Sequence, residues 1–272
     1  MRKRSSHRTP RLGQHFLTGI WAARSLARAA GISKSDTVVE VGPGTGALTK
    51  ELLAEGVHVI AIEKDERLVA KMKETFRDDI ASGNLRIVAG DIRDTETDSL
   101  GLENNAYTVA ANIPYYITGE ILRMFLEAPV QPRTMALLVQ KEVAQRVVAK
   151  KESILSLSVK VYGTPKVIAK VSRGNFSPPP RVHSAILAIT NISRTFFSDV
   201  DEEFFFKLVR AGFSSKRKQL AGNLARFASK PSVLEAFVHC GISADARAED
   251  VPLEKWGCLV KALAKQKRLF SR

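Results

Sequence analysis

The order of apolar and polar positions along the chain predicts alternating strands and helices from residue 37 onward. Short apolar runs end in turns, and all but the third are followed by a stretch whose apolar residues recur at helical spacing. The predicted strands are 37–41, 57–62, 85–89, 107–111 and 135–139. This alternation is typical of an α/β fold with a mostly parallel, Rossmann-like sheet and helices on both faces.

The pattern changes after residue 154. The runs 155–162 and 166–171 both alternate between apolar and polar positions, and the short break between them predicts a hairpin at the sheet edge. A further strand is predicted at 183–189, after a Pro-rich loop at 174–182 that carries one aromatic residue, Phe176.

Strand signals stop near Asp199, and helical spacing then predicts helices at 202–212, 216–227, 231–240 and 253–264. We therefore predict a basic N-terminal arm at 1–11, a Rossmann-like domain at 12–198 and a small all-helical C-terminal domain at 199–272.

The charge of the chain favours a polyanionic partner. Lys and Arg number 42 against 28 Asp and Glu, which gives a formal net charge of +14 and a pI near 9.9. An excess of this size favours nucleic acid as the partner, although basic proteins without that function also occur.

The cysteines and the hydropathy of the chain predict where in the cell the protein is located. Cys240 and Cys258 have neither metal-ligand neighbours nor a close spacing, so we expect two small core residues in a reducing environment, with no zinc site and no disulfide. No apolar run approaches the roughly 18 residues of a membrane span, and no signal-type segment follows the basic N-terminus. We expect a cytoplasmic protein with no metal and no membrane partner.

Candidate chemistry begins at the ends of the predicted strands. Gly42-Pro43-Gly44-Thr45-Gly46-Ala47 follows the first strand, and such a turn lets a nucleotide approach the backbone at a helix N-terminus. A dinucleotide and S-adenosylmethionine both use this turn, and a purely structural turn is a third reading. Glu63 can accept hydrogen bonds from ribose hydroxyls and Asp91 from an adenine amino group, although either acid can also cap the helix that follows it.

Asn112-Ile113-Pro114-Tyr115 follows the fourth predicted strand. Alone, these residues fit a proline turn better than a recognition loop. Beside the glycine turn and the two acids, they fit a site for a flat heterocycle with an amino group. An amide oxygen and a carbonyl oxygen can accept from that amino group, and Tyr115 can stack on the ring.

Together these motifs resemble those of the ribosomal RNA adenine dimethyltransferases. The motifs, in order, are GQHFL at 13–17, EVGPGTG at 40–46, Glu63, GD at 90–91, NIPY at 112–115, QKEVA at 140–144, NFSPPPRVHS at 175–184, and Phe213 with the basic residues at 216–218. The KsgA type, which modifies small-subunit RNA, is the most similar.

The resemblance implies transfer of methyl groups from S-adenosylmethionine to N6 of two neighbouring adenines near the 3′ end of small-subunit ribosomal RNA. It also implies that the target base is held by Asn112, Pro114, Tyr115 and Phe176. The cofactor contacts that it implies are His15, Leu17, Gly42, Gly44, Glu63, Asp91 and Asn112. Lys216, Arg217 and Lys218, in the helical domain, are expected to contact RNA phosphates, and we expect the protein to be a monomer.

Three other functions stay open at this point. Methyltransferases of large-subunit RNA of the macrolide-resistance type share the NIPY-like core, and a non-catalytic RNA-binding assembly or transcription factor can use the same fold. A nicotinamide dehydrogenase is disfavoured, because no proton-handling pair is evident near the strand ends. Tyr116 also departs from the family, which often has Asn there, and His15 stands where some members have Asn.

Overall fold

A computed structural model describes residues 15–95 and 97–270 of the chain. The predicted basic arm at 1–11 and Gly13 and Gln14 of the first motif lie outside the described residues. None of the helices in the described part of the chain has both the length and the apolar composition needed to cross a membrane.

Seven of the strands form one sheet, and its order agrees with the predicted Rossmann-like fold. The strands are β1 (Phe16–Leu17), β2 (Thr37–Val41), β3 (His58–Glu63), β4 (Leu85–Ala89), β5 (Tyr107–Asn112), β6 (Thr134–Gln140), β7 (Thr164–Val171), β8 (Phe176–Ser177) and β9 (Ser184–Thr190). The sheet order is β4-β3-β2-β5-β6-β9-β7, and β1 pairs with β8 separately. Strands β4, β3, β2, β5 and β6 are parallel. The order reverses direction between β2 and β5, and ligands of open α/β sheets bind at such a point.

The helices alternate with these strands and then continue alone. They are α1 (Ile20–Ala29), α2 (Ala47–Ala54), α3 (Glu66–Thr75), α4 (Arg77–Ala81), α5 (Thr118–Glu127), α6 (Lys141–Val148), α7 (Ile154–Lys160), α8 (Glu202–Gly212), α9 (Leu220–Leu224), α10 (Lys230–Cys240) and α11 (Leu253–Phe270). One compact unit comprises the described residues up to 141 together with 167–188, and the other comprises 142–166 and the described residues from 189 onward. The predicted domain boundary at 199 stays a prediction.

The core of the first unit explains why its strands read as continuous apolar runs. Both faces of a parallel sheet are covered by helices, so residues pointing either way along β2 and β5 are buried. Val38 and Val39 of β2 and Val109 and Ala110 of β5 have no exposed surface.

The predicted hairpin is wrong in its first half. Residues 154–160 form α7, and only the second run becomes a strand, β7, beyond β9 at the edge of the sheet. The serines that produced the alternation build a helix start instead. Ser153 Oγ accepts from the Ser156 backbone N at 3.1 Å, and Ser156 Oγ accepts from the Ser153 backbone N at 2.6 Å. This reciprocal capping satisfies two backbone donors that a helix otherwise leaves free.

The expectation for the cysteines is also wrong. Cys240 of α10 and Cys258 of α11 form a disulfide with an S–S distance of 2.08 Å. These two helices pack against each other and bring the Cα atoms to 5.8 Å, within the range that a disulfide needs. The cysteines therefore give no support to a reducing compartment.

The helix predicted at 216–227 is shorter than expected, since α9 begins only at Leu220. Asn223 holds the preceding residues in a loop, because its Nδ2 donates to the Gly212 carbonyl at 2.6 Å and to the Ser215 carbonyl at 3.0 Å. The basic residues 216–218 lie on this loop and are exposed.

Candidate active site

A cavity of about 260 Å³ lies at the carboxyl ends of β2, β3, β4 and β5, where the strand order reverses. Nine of the residues singled out from the sequence line it: His15, Leu17, Gly42, Gly44, Glu63, Asp91, Asn112, Pro114 and Tyr115. Gly42 and Asn112 are far apart in sequence and meet here because parallel strands end at one edge of a sheet.

The glycine turn lets the backbone pass close to the cavity. Gly44 has φ +61°, and a Cβ there would lie 3.0 Å from the Phe16 ring. Gly46 has φ +84° at the N-terminus of α2, and a Cβ there would lie 2.5 Å from the Phe76 ring. Only glycine adopts these left-handed conformations without strain. Glycine is therefore required at positions 44 and 46, both by the backbone angles and by the packing against the two rings.

Glu63 fixes the conformation of this turn from the next strand. Its Oε2 accepts from the Gly44 backbone N at 3.1 Å, and its Oε1 accepts from the Asp65 backbone N at 2.9 Å. The side chain is buried, yet each oxygen keeps a lone pair, because a carboxylate offers about four acceptor sites.

A second buried acid, Glu40, was not predicted as a site residue. It lines the cavity from β2 and accepts from Thr49 Oγ1 at 2.6 Å. Burial raises the pKa of Glu40 to about 8, and the negative charge of Glu63 adds to the rise, against the effect of the Thr49 hydrogen bond. The signal was present in the sequence as an acid inside an apolar strand run, 37–41.

Asp91 is held by two cations that sequence reasoning did not single out. Lys64 Nζ lies 2.7 Å from Oδ2, and Arg93 contacts both carboxylate oxygens. Arg93, together with Lys64, holds the pKa of Asp91 well below its usual range, against the effect of burial. Both cations also line the cavity.

The side chain of Asn112 has a defined orientation. Its Nδ2 donates to the His15 carbonyl at 3.1 Å, while within the described part of the chain its Oδ1 has no hydrogen-bond partner. His15 is itself anchored, because its Nδ1 lies 2.8 Å from the Pro178 carbonyl and donates to it. The amide oxygen of Asn112 is therefore available as an acceptor.

Tyr115 is anchored at its hydroxyl. The Oη atom lies 2.6 Å from Oγ of Ser184, which is fully buried at the start of β9. Burial raises the pKa of the Tyr115 phenol, although the Ser184 hydrogen bond acts in the opposite direction. The centroids of the Tyr115 and His15 rings are 6.0 Å apart. Tyr116 instead projects outward at the rim of the cavity, with 73% of its surface exposed.

Four predicted residues are not among the residues that line this cavity. Phe176 is in β8, opposite Leu17 of β1, and only 4% of it is exposed because it packs in the hydrophobic core. Lys216, Arg217 and Lys218 belong to the second unit and are exposed there.

The lining residues fit S-adenosylmethionine, the cofactor that the sequence resemblance implies. A Cβ on Gly42 would meet nothing within 4 Å, so the turn is open where Gly42 lines the cavity. Glu63 keeps a lone pair on each oxygen, and Asp91 places a second carboxylate at the next strand end. Among the residues that the structure describes, no group of three or more His, Cys, Asp or Glu side chains is placed to bind a metal ion.

Comparisons with known proteins agree with this geometry. The profile of the family described as "Ribosomal RNA adenine dimethylase" matches residues 5–265. Ribosomal RNA small subunit methyltransferase A of Dehalococcoides mccartyi is 43% identical over 255 residues, which cover 92% of this chain and 87% of that protein.

Two solved structures extend the comparison. A dimethyladenosine transferase from Plasmodium falciparum is 25% identical, with a TM-score of 0.79, and the match covers 93% of this chain and 98% of that one. The 23S rRNA methyltransferase ErmE is 26% identical, with a TM-score of 0.72 and coverages of 92% and 99%.

Proposed function

Because this chain belongs to the ribosomal RNA adenine dimethylase family, we propose that it dimethylates N6 of two adjacent adenosines near the 3′ end of small-subunit ribosomal RNA. The reaction uses S-adenosylmethionine and contributes to ribosome biogenesis. The proposal is supported by relatives at 42–43% identity whose names specify the small subunit.

The cofactor binds along the strand ends in this proposal. Gly42 and Gly44 allow it to approach the backbone, Glu63 accepts from its ribose hydroxyls, and Asp91 accepts from its adenine amino group. His15 and Leu17 close the cavity from the segment before α1. When bound, S-adenosylmethionine supplies a methyl group activated by the neighbouring sulfonium.

One observation carries the catalytic part of the proposal: the Asn112 amide is fixed by its nitrogen on the His15 carbonyl, so its oxygen is oriented as an acceptor. Adenine N6 is a weak nucleophile because its lone pair is delocalised into the ring. Asn112 Oδ1 accepts from one N–H of N6 and the Pro114 carbonyl from the other, which directs the lone pair toward the methyl group. The Pro114 carbonyl already accepts from the Ile117 backbone N at 3.1 Å and keeps its second lone pair for this task.

The proton needs no strong base. Methyl transfer would form the N–C bond and break the sulfur–methyl bond, whose electron pair would stay on sulfur. The positive charge left on N6 would then be lost as a proton to water. Asn112 therefore acts by orienting N6, and Tyr115 by stacking on the adenine ring, which offsets an unstacking cost of a few kcal/mol. Since Phe176 is buried, its stacking on the second face of the ring requires its side chain to turn toward the cavity when RNA binds.

The basic residues Lys216, Arg217 and Lys218 support RNA binding from the second unit. They are exposed on the loop before α9 and have the charge to contact phosphates, which gives salt-dependent binding without base specificity. The expectation that the protein is a monomer stays a prediction, which sedimentation can measure.

Methylation of purified ribosomal subunits tests the proposal. Wild-type protein should transfer labelled methyl groups to small-subunit RNA, and mapping should find N6,N6-dimethyladenine at two adjacent positions. Asn112→Ala should lower the rate by about 100-fold or more, as removal of an oriented polar group in other enzymes does. The exposed Asn84→Ala is the matched control, and its rate should stay unchanged.

The alternatives predict different results. Labelling confined to large-subunit RNA would support the macrolide-resistance type of activity. A wild-type protein that binds RNA but no S-adenosylmethionine would support a non-catalytic assembly or transcription factor. Full activity of Asn112→Ala would remove the assigned role of the amide oxygen.

A further inference from the structure

Asp91 has no free acceptor site in this structure. Its Oδ1 accepts from the Arg93 backbone N and from Arg93 Nε, both at 3.0 Å. Its Oδ2 accepts from Arg93 Nη2 at 2.6 Å and from Lys64 Nζ at 2.7 Å. A carboxylate offers about four acceptor sites, and four donors fill them.

An adenine amino group that donates to Asp91 must therefore displace one of these donors. We propose that Lys64 is the donor that leaves, so that this lysine competes with the cofactor's adenine for Asp91 and restricts the adenine end of the cavity. This inference rests on the proposed use of S-adenosylmethionine. It adds a specificity-determining residue that lies outside the motifs carrying the family resemblance.

The geometry indicates that Lys64, rather than Arg93, is the donor that leaves Asp91. The side chain of Arg93 is 38% exposed and forms two bonds from one planar guanidinium, next to a third bond from its own backbone. The side chain of Lys64 is 69% exposed and forms a single point contact. An exposed lysine ion pair contributes little free energy and is screened by salt, whereas a bidentate arginine pair is stronger and holds its geometry.

A competing lysine gives cofactor binding two properties that a supporting lysine would not. Removing the ammonium group should strengthen binding, because the cofactor no longer displaces it. Added salt should also strengthen binding to the wild-type protein, because salt weakens the contact between Lys64 and Asp91. A lysine that helped to hold the cofactor would change affinity in the opposite direction.

Calorimetric titration of the full-length protein with S-adenosylhomocysteine tests the inference. This ligand carries no net charge at neutral pH, so a general repulsion between lysine and ligand is minimised. Lys64→Met should bind about two- to five-fold more tightly than wild type, the size of an exposed ion pair. Lys71→Met, an exposed lysine on α3 that does not line the cavity, removes the same charge and should leave affinity unchanged.

An inosine analogue of the ligand identifies the group involved. It has a carbonyl in place of the 6-amino group and therefore no donor at that position, so Lys64→Met should show no gain in its affinity. Equal or weaker binding of S-adenosylhomocysteine by Lys64→Met, or an equal gain with the inosine analogue, would overturn the inference. Failure of the wild-type protein to bind S-adenosylhomocysteine at all would instead overturn the proposed function.

Discussion

Replacing Glu40 with glutamine should make the folding stability of this protein less dependent on pH. The carboxyl group is buried at the end of β2, and its pKa is raised to about 8 from an ordinary value of 4.5. Between these two pH values the folded protein keeps the proton while the unfolded chain loses it. Glutamine is neutral at every pH, has nearly the same shape and can still accept from Thr49 Oγ1.

The sign and the size of the effect follow from proton linkage. Where the folded state binds more protons than the unfolded state, the free energy of unfolding falls as pH rises, by about 1.4 kcal/mol per pH unit for one group. The stability associated with protonated Glu40 is therefore complete below about pH 4.5 and is lost as pH rises through about pH 8. From about pH 6 to about pH 7.5, the difference in unfolding free energy between Glu40→Gln and wild type should grow in favour of the variant by about 2 kcal/mol.

Urea unfolding at several pH values, followed by circular dichroism, measures this difference. Comparing variant with wild type removes the contribution of all other titrating groups. Glu74→Gln is the control, because Glu74 is exposed on α3, and its unfolding free energy should follow that of wild type at each pH. Parallel pH profiles for Glu40→Gln and wild type would refute the raised pKa.

Three further changes test other parts of the structure. Ser184→Ala removes the hydrogen-bond partner of the Tyr115 hydroxyl, at a cost of about 0.5–1.5 kcal/mol. The KM for RNA should rise several-fold, while calorimetry should show an unchanged affinity for the cofactor. An unchanged KM would contradict the anchoring role of Ser184. Gly46→Ala should lower the free energy of unfolding by roughly 1–3 kcal/mol, measured by thermal unfolding, because φ at this position is +84° and the new methyl group meets the Phe76 ring. A variant as stable as wild type would show that the turn relaxes freely. Replacing Lys216, Arg217 and Lys218 with glutamine should reduce the slope of log affinity for RNA against log salt by about 2, and an unchanged slope would exclude them as phosphate contacts.

Much of the fold was predictable because its signals are local. Each of the five parallel strands is an apolar run that ends in a turn, and a buried parallel strand requires such a run. The predicted Rossmann-like sheet is confirmed. The hairpin prediction was wrong because alternating serines fit both a strand and a helix, and the reciprocal contacts of Ser153 and Ser156 decide between them.

The sequence by itself determined which chemical groups stand at the strand ends. Gly42, Glu63, Asp91 and Asn112 each lie at or just after the end of a strand, and parallel strands end at one edge whatever the details of packing.

Only the tertiary structure decided how those groups are oriented and which hydrogen-bond partners they have. The His15 carbonyl turns the Asn112 amide, Lys64 and Arg93 fill the acceptor sites of Asp91, and packing of α10 on α11 joins Cys240 to Cys258. Hydrogen bonds and disulfides depend on distances of a few ångströms between residues far apart in sequence. Periodicity along the chain carries no information at that scale, so these contacts appear only once the chain is folded.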